Sequence, residues 1–292
     1  MKKVLITGAN GMLGSTLCDL FHQNYEVIAL HRDADCYSSS ATNYSLELDD
    51  LPNLESLFKK LNPDIVIHAA GATNVEECEK KPDFAYRNNV IVTEQLAHLC
   101  GSKTKLIYIS TDQVYGDVKD CSENNLKLEP INQYGKSKYL GEQRVLESSQ
   151  DNIIIRTNIF GWNKKPGKVS SAEWIYNTLR NKELITLFND YTFHPIFAED
   201  LGLIIVKLLD LDYKGVINVG SPSPCTKYEF GNLLAEKCGF SKSNIKIGSI
   251  EDHHFEAPRV KHLSLDIEKL QSLGIKAPDF EQSIEHFSKN AR

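Results

Sequence analysis

Two short segments in the middle of the chain bring together side chains that can move a proton. The segment Ser110–Gly116 follows an apolar run at 105–109, which predicts a buried strand that delivers a hydroxyl and a carboxylate at its end. The second segment opens a predicted helix, in which Tyr134 and Lys138 are four residues apart and share one face. A phenol, an ammonium and the Thr111 hydroxyl are the groups needed to move a proton onto or off a carbonyl oxygen. Any hydride has to come from elsewhere.

A glycine-rich turn near the N-terminus predicts a place for a cofactor. The β-rich run Lys3–Thr7 leads into this turn, and a helical pattern of apolar residues follows. Glycines let the backbone turn tightly and approach a pyrophosphate, whose charge is met by the free amides at the helix start. The order of strand, turn and helix is typical of dinucleotide-binding folds. The cofactor-binding residues predicted in the turn are Gly8, Asn10, Gly11, Met12 and Leu13.

The end of the second predicted strand, at 25–30, indicates which dinucleotide is bound. His31, Arg32 and Asp33 stand where an adenosine ribose would be recognised. An arginine suits a 2′-phosphate, whereas a carboxylate suits a 2′-hydroxyl. We therefore predict NADP(H) as the preferred cofactor and NAD(H) as the alternative. If the three residues have no function, they form a solvated turn. Further predicted cofactor contacts follow the third strand, at 44–48, and the fourth, at 65–70: Asp49, Ala69, Ala70 and Gly71.

Six predicted strands alternate with helices as far as residue 157. The long helix at 83–99 and the sixth strand at 152–156 belong to this series. Such alternation is typical of an α/β fold with a Rossmann-type doubly wound parallel sheet, which binds its ligand at the carboxyl ends of the strands. The later sequence is too broken for a second sheet of this kind. We predict an NAD(P)-binding Rossmann domain at 1–157 and a smaller C-terminal α/β substrate-binding lobe at 158–292, with elements shared across the boundary.

Composition excludes several classes of protein. The net charge of −6 and the mixing of acidic and basic residues argue against a nucleic-acid or anionic-membrane partner. No apolar run has the length of a signal peptide core or a membrane span. The seven cysteines form no C-x-x-C pair, which indicates reduced thiols and a cytoplasmic location.

Three polar features each have a structural and a functional interpretation. The segment 74–79 holds three carboxylates and a thiol, but a solvated helix turn is favoured and no metal site is predicted, because a histidine at a spacing that metals favour is missing. His68 is interpreted as a strand residue with a satisfied ring. Asn89 interrupts an apolar helical pattern, so it either bonds within its helix or holds a water or the ammonium of Lys138.

With these motifs the chain resembles the extended short-chain dehydrogenase/reductase family, and within it the dTDP-4-dehydrorhamnose reductase group of nucleotide-sugar reductases. The resemblance runs from end to end. Its later motifs narrow it to sugar-nucleotide enzymes. The motifs that carry it are Thr7-Gly8-x-x-Gly11-x-x-Gly14, Pro63-Asp64, Asn89-Val90, Ser110-Thr-Asp, Tyr134-Gly-x-x-Lys138 with Gly141-Glu142, Arg156-Thr157, Pro195–Asp200, Pro258-Arg259, Ser264–Asp266 and Lys269-Leu270.

The resemblance implies NADPH-dependent reduction of the 4-keto group of an NDP-deoxysugar, in a pathway such as dTDP-rhamnose or polysaccharide biosynthesis. Thr111 would hydrogen-bond the ketone oxygen and Tyr134 would donate the proton. Lys138 would lower the Tyr134 pKa, since a neighbouring cation favours the phenolate, and would hold the nicotinamide ribose; Asn89 would complete the catalytic set. The substrate-binding residues implied are Thr73, Val75, Thr111, Asp112, Gln113, Asn158, His194 and Arg259.

Two departures from related enzymes bear on the reaction. NDP-sugar dehydratases of the superfamily tend to carry Ser-Thr-Asp-Glu, whereas this chain has Gln113 at the fourth position. An amide cannot take the proton that a glutamate would, so simple reduction is favoured. The rhamnose-forming enzymes usually carry a tryptophan after Arg-Thr-Ser beside the sugar. This chain has Arg156–Gly161 there, with Trp162 further on, so the sugar stays open.

Two other functions remain alternatives. The first is an epimerase of nucleotide sugars that retains NAD and consumes no NADPH. The second is an NADP-binding regulatory subunit, for which the β subunit of methionine adenosyltransferase is the example within the resembled group. The predicted partner is a nucleotide-sugar substrate, and a homodimer is left open.

Overall fold

The polypeptide forms one large parallel sheet with helices on both sides. A computed structural model of the protein describes residues 1–33, 35–38, 40–118, 121–125 and 127–291. The strands within these residues are β1 Lys3–Thr7, β2 Glu26–His31, β3 Thr42–Ser45, β4 Ile65–His68, β5 Lys105–Ile109, β6 Ile153–Phe160, β7 Ile185–Phe188, β8 Thr192–Phe193, β9 Pro195–Phe197, β10 Gly215–Val219, β11 Cys225–Thr226 and β12 Ile245–Gly248. The α-helices are α1 Met12–Phe21, α2 Leu51–Leu61, α3 Val75–Lys80, α4 Pro82–Tyr86, α5 Val92–Cys100, α6 Gln133–Ser148, α7 Ser171–Arg180, α8 Ala198–Asp210, α9 Lys227–Cys238, α10 Glu268–Ser272 and α11 Phe280–Lys289.

The main sheet confirms the predicted doubly wound fold. Its strands follow the order β3-β2-β1-β4-β5-β6-β10, and β9 pairs with β6 off this path. Every pair along the order is parallel. The strand order reverses between β1 and β4, which is the point where folds of this type bind their ligands at the carboxyl ends of the strands. The segments after β1, β2, β4, β5 and β6 therefore meet at one edge.

Three elements differ from the predictions. The third strand lies at Thr42–Ser45 rather than 44–48, because its residues pair with Ile28–His31 of β2. The sixth strand continues to Phe160, since β9 offers it a further partner. The helix predicted at 83–99 is interrupted by a π-helical turn at Arg87–Ile91. Such turns shift the side chains that follow around the helix axis and are frequent at functional sites.

A second apolar core lies in the part of the chain after β6. It is built largely from aromatic rings, and Phe160 packs edge-on against Phe230 with ring centroids 5.0 Å apart. Trp162 belongs to the same cluster, since its indole stacks on Phe287 at 4.1 Å. This core gives the later chain its own packing, which the broken sequence pattern there did not reveal.

Helix α8 joins the later chain to the first helix. A Cβ at Gly202 would come within 2.7 Å of the Leu20 side chain and 3.2 Å of the Leu17 side chain, so glycine allows α8 to pack closely on α1. In the described part of the chain, no helix is long and apolar enough to cross a membrane.

Candidate active site

The start of α6 is pressed against the segment that follows β5. Asn132 caps the helix by accepting a hydrogen bond of 2.8 Å from the Gly135 amide. A Cβ at Gly135 would lie 2.6 Å from the carbonyl oxygen of Gln113, so a larger residue could not replace this glycine without a shift. The close approach fixes where Tyr134 lies, one residue into the helix.

Tyr134 and Thr111 interact at the carboxyl end of β5. Burial raises the pKa of Tyr134 above its usual value, the Thr111 hydroxyl lowers it, and the nearby Asp112 carboxylate raises it. The phenol therefore keeps its proton at neutral pH. A protonated phenol beside a second hydroxyl is the state that a proton donor to a carbonyl oxygen needs.

Lys138 lies on the same face of α6, where it is 4 % exposed. Its Nζ donates a hydrogen bond of 2.7 Å to the Ile109 carbonyl and lies 3.9 Å from the centroid of the Tyr108 ring. Burial lowers the pKa of Lys138 to about 7, although the Glu142 carboxylate favours the charged form. Burial thus dominates the pKa of Lys138, and the lowering of the Tyr134 pKa by this lysine, which the family resemblance implies, stays a prediction.

The low pKa of Lys138 predicts a pH dependence of stability. Its pKa is about 7 in the folded protein against a usual value of 10.5. Between these values the unfolded chain binds the extra proton, so the contribution of Lys138 to the unfolding free energy increases as the pH rises. We expect urea unfolding between pH 7.5 and 9.5 to show a steeper rise for the parent than for Lys138→Met, by up to about 1.4 kcal/mol per pH unit.

The exposed Lys136 provides the control for this measurement, because it lies on the same helix. Lys136→Met should keep the pH dependence of the parent. Equal slopes for the parent and Lys138→Met would show that Lys138 retains an ordinary pKa.

Asp112 is a buried carboxylate next to Thr111. It accepts hydrogen bonds from the Asn158 side-chain amide at 2.7 Å and from the Thr111 hydroxyl at 3.1 Å. Burial raises the pKa of Asp112 to about 6 in spite of these donors. The structure thus joins three of the predicted substrate-site residues. The Thr111 hydroxyl must turn from Asp112 if it is to donate to a substrate oxygen.

Asn89, in the π-helical turn, links two segments that border this site. Its side chain accepts from the Ala72 amide at 2.8 Å and donates to the Ala72 carbonyl at 3.0 Å and to the Ser137 hydroxyl at 2.9 Å. These contacts tie the segment after β4 to α6. The side chain thus bonds across to these two elements rather than within its own helix, and its part in the catalytic set stays a prediction.

The glycine turn has the shape that a dinucleotide requires. Gly8 has a φ of +67°, and a Cβ there would lie 2.8 Å from the Ala70 backbone. A Cβ at Gly14 would lie 2.2 Å from the Gly8 carbonyl oxygen. Within the described residues no side chain caps the start of α1, whose N-cap is Gly11, so its first amides can receive a phosphate. The residues present therefore fit a dinucleotide.

The end of β2 is organised by Asn10 of this turn. Its side chain donates to the Asp33 carboxylate at 3.0 Å and accepts from the Tyr37 amide at 3.1 Å. His31 is 6 % exposed, and its Nε2 finds no hydrogen-bond partner among the described residues, which leaves a buried polar atom at this edge. Arg32 is exposed.

The remaining predicted cofactor residues lie along the same edge of the sheet. Met12 packs close to Gly161, which follows β6: a Cβ at Gly161 would lie 3.3 Å from the Met12 sulfur. Leu13 is buried. Ala69 and Gly71 follow β4, with Gly71 against the Asn89 side chain. Asp49 is exposed, and its carboxylate forms an ion pair of 2.7 Å with Arg87.

Polar contacts join two of the predicted substrate residues, Gln113 and Arg259, to neighbouring elements. The side-chain oxygen Oε1 of Gln113 accepts a hydrogen bond of 2.8 Å from the Asn132 side-chain amide, which also donates to the backbone carbonyl of Pro258 at 3.1 Å. Arg259 pairs with Glu76 of α3 at 2.5 Å. The segment around residue 258 is therefore fastened to α3 and to the end of β5. Thr73 and Val75 stand at the start of α3, next to its N-cap Asn74.

Two residues of the later chain have environments that the sequence did not indicate. His194 is buried, with a hydrogen bond of 2.7 Å between its Nδ1 and the Ser221 carbonyl oxygen, and burial lowers its pKa. Trp162 donates from Nε1 to the Phe287 carbonyl at 3.0 Å and belongs to the aromatic core.

Lys227 is a candidate site residue that the sequence reasoning missed. It opens α9 directly after the N-cap Thr226, which forms a capping box with Glu229. Its Nζ lies 3.6 Å from the centroid of the Phe193 ring, and burial lowers its pKa to about 8, while the charge of Asp112 favours the ammonium. The only signal in the sequence was a lysine at a helix start, which is indistinguishable from a solvated residue.

A buried ion pair stabilises the segment that carries Thr111. Arg156 of β6 and Glu142 of α6 are joined at 2.7 Å, with 5 % and 0 % of their side chains exposed. Glu142 also accepts a hydrogen bond of 2.5 Å from the Ser110 hydroxyl, directly before Thr111. Tyr115 follows on the same segment, and its hydroxyl accepts a hydrogen bond of 3.0 Å from the Arg156 guanidinium. The charged pair thus fixes both ends of the stretch that carries Thr111.

The other titratable groups considered from the sequence have structural partners. His68 bonds Thr7 at 2.7 Å and Thr93 at 3.1 Å, and burial lowers its pKa to about 3, so its interpretation as a satisfied strand residue is confirmed. Across the described ranges, no group of three or more His, Cys, Asp or Glu side chains is placed to hold a metal ion.

Comparison with known proteins places this geometry in a family. The family model described as the RmlD substrate binding domain matches residues 1–292. The spore coat polysaccharide biosynthesis protein SpsK of Bacillus subtilis is 29 % identical over 290 residues, which cover 98 % of this chain and 97 % of that protein. The methionine adenosyltransferase 2 subunit beta of Xenopus tropicalis is 25 % identical over 283 residues, covering 94 % and 83 %.

A solved structure matches over the whole chain. It is dTDP-4-dehydrorhamnose reductase from Bacillus anthracis in complex with NADP, with a TM-score of 0.87, 28 % identity and complete coverage of both chains. The likeness therefore includes both the sheet and the later lobe.

Proposed function

The chain belongs to the RmlD substrate binding domain family, and on this premise we propose that it is an NADPH-dependent reductase of the 4-keto group of an NDP-deoxysugar. The observation that carries the proposal is the placement of a protonated Tyr134 beside Thr111 at the strand edge that also holds the glycine turn. The similar reductase from Bacillus anthracis was solved with NADP, which supports the same cofactor for this chain.

The proposed reaction divides the work between cofactor and side chains. Bound NADPH would supply the hydride. The Thr111 hydroxyl turns from Asp112 to the ketone oxygen, and Tyr134 donates its proton as negative charge develops there. Lys138, fastened to the Ile109 carbonyl, holds a cation close to this proton donor whenever it is charged, which favours the phenolate that remains after transfer.

Residue 113 favours reduction over dehydration, whereas the pair of Tyr134 and Lys138 would serve an epimerase equally, so net NADPH consumption is what separates reductase from epimerase. A dehydratase needs an acid–base residue at position 113, where this chain has an amide whose carbonyl is bound by Asn132. The chain has the groups for donating a proton to a ketone and lacks that second acid.

We propose that residues 1–157 bind the dinucleotide and residues 158–292 bind the sugar nucleotide. The sheet supports a shared boundary, since β6 runs across residue 157 and β10 pairs with it. In this proposal Gln113 and Asn158 contact the sugar, while Arg259 and His194 lie on the side of the later lobe. The pair of Arg259 with Glu76 would open or be shared when a diphosphate binds.

The proposal is tested by following NADPH oxidation with a panel of dTDP-, GDP-, UDP- and CDP-linked 4-keto sugars. We expect turnover with at least one member, and the preferred nucleotide identifies the substrate. An epimerase would interconvert its sugar without net NADPH consumption.

A third outcome is suggested by the similarity to the methionine adenosyltransferase 2 subunit beta. A protein that binds NADPH, reduces no member of the panel and co-purifies with a catalytic partner would be a subunit of another enzyme. That result would overturn the proposed reductase activity.

A further inference from the structure

A segment of the later lobe crosses to the adenosine side of the predicted cofactor groove. Lys164 forms an ion pair with Asp19 of α1, and Lys165 pairs with Asp33 at 2.6 Å. Asp33 follows β2, 132 positions before Lys165 in the chain. In dinucleotide-binding folds, an acidic residue at the end of the second strand contacts the adenosine ribose. Lys165 thus brings an ammonium to the place where the ribose 2′ position is recognised.

The crossing segment is held in place where it begins, on two sides. On one side the Trp162 ring is stacked in the aromatic core at 4.1 Å from Phe287. On the other, Glu173 of α7 binds the Asn163 amide at 2.8 Å and its side chain at 2.6 Å. A backbone hydrogen bond of 3.3 Å from Lys168 to Lys165 closes a turn between them. The position of Lys165 therefore follows from the packing of the later lobe.

The charge of Asp33 makes Lys165 important for a phosphorylated ribose. Hydrogen bonds from Lys165 and Asn10 lower the pKa of Asp33, so this carboxylate is ionised at neutral pH. An ionised carboxylate suits a 2′-hydroxyl but repels a 2′-phosphate unless a cation neutralises it. A lysine ammonium has three donors, so it can keep Asp33 and also bind a phosphate oxygen.

We propose that Lys165 binds the 2′-phosphate of NADP(H), and that a side chain of the later lobe therefore determines the choice between NADP(H) and NAD(H). The inference rests on the dinucleotide binding contained in the proposed function. A second observation points to a ligand at the same edge: the buried Nε2 of His31 has no hydrogen-bond partner among the described residues. Arg32, the residue that the sequence indicates for the phosphate, is exposed next to this position.

The test is a titration of the purified full-length protein with NADPH and with NADH, followed by cofactor fluorescence or calorimetry. Lys165→Met should raise the Kd for NADPH about ten-fold, since a charge-assisted hydrogen bond to the phosphate is lost. The Kd for NADH should change less than about two-fold, because no 2′-phosphate is present. Lys165→Arg keeps the charge and should retain NADPH binding.

Two further variants complete the design. Lys168→Met removes an exposed lysine from the same segment and should leave both dissociation constants unchanged. Asp33→Asn removes the repelling charge, so it should tighten NADPH and weaken NADH. The pair of Lys165 with Asp33 is partly exposed, at 25 % for each side chain, and circular dichroism will confirm that the Lys165 variants are folded.

Equal losses for NADPH and NADH in Lys165→Met, or no loss for either, would overturn the inference. Because binding is measured without turnover, this failure is distinct from that of the proposed function. A parent protein that binds NADPH but reduces no keto sugar would lose its proposed activity while the role of Lys165 stands. A parent that binds neither dinucleotide would refute both.

Discussion

Tyr134→Phe should lower the rate of keto-sugar reduction about 1,000-fold while NADPH binding is largely kept. The phenol is the group placed to donate a proton beside Thr111, and general acid catalysis by a positioned side chain contributes about 100- to 10,000-fold. The ring itself stays, so the packing at the start of α6 changes little. The measurement is kcat for NADPH oxidation with the best sugar of the panel, together with the Kd for NADPH.

Tyr139→Phe provides the matched control, because this partly buried tyrosine lies on the same helix and packs against the main core. It should keep the parent kcat within a few-fold. If Tyr134→Phe reduced its substrate as fast as Tyr139→Phe does, another group would have to be the proton donor.

Glu142→Gln should lower the free energy of unfolding by about 3 kcal/mol, since removing one partner of a buried ion pair leaves the other charge without compensation. Arg156 would be that charge, as its guanidinium makes contacts of 3.1, 3.2 and 2.7 Å with the Glu142 carboxylate. The Ser110 hydroxyl would lose a charged acceptor at the same time. Urea denaturation at pH 7 measures the change.

The exposed pair of Glu147 with Arg144, on the same helix, is the comparison. It is joined at 2.7 Å, like the buried pair, but 62 % of the Glu147 side chain is exposed. Glu147→Gln should cost about 0.5 kcal/mol or less, because solvent screens such pairs. Similar losses for both variants would mean that burial of the Arg156 pair contributes nothing to its strength.

The fold could be predicted because its signals are local. The strand, turn and helix from Lys3 to Phe21 were found within the predicted bounds, since glycine geometry and apolar spacing act over a few residues. The capping box at the start of α9 is an equally local feature, since its two residues are three positions apart. The doubly wound parallel sheet followed from the alternation of strands and helices, which leaves few topologies open.

The bounds of β3 and the interruption of the long helix could not be predicted in this way. The third strand is set by its partner β2, and strand pairing is a contact between distant residues. The π-helical turn at Arg87–Ile91 depends on where the Asn89 side chain finds its partners, Ala72 and Ser137, which are 17 and 48 positions away.

Within the candidate site, residue types were readable from the sequence, but their protonation was not. The sequence placed Tyr134 and Lys138 on one face of α6, because helical spacing fixes this. That the lysine lowers the pKa of the phenol was implied by the family resemblance and stays a prediction. Burial raises the pKa of Tyr134 and lowers that of Lys138 to about 7. Burial is a property of everything packed around a group, which no local pattern contains.

By itself the sequence determined the doubly wound fold, the glycine turn and the stretch Ser110–Gly116 with its hydroxyl, carboxylate and amide, because each depends on spacing within one element. Only the tertiary structure decided which distant groups meet that stretch. It put Arg156 and Glu142 beneath Ser110, tied Asp112 to Asn158, and carried Lys165 to Asp33. The physical reason is that charges and hydrogen bonds act over a few ångströms of space, whatever the separation along the chain.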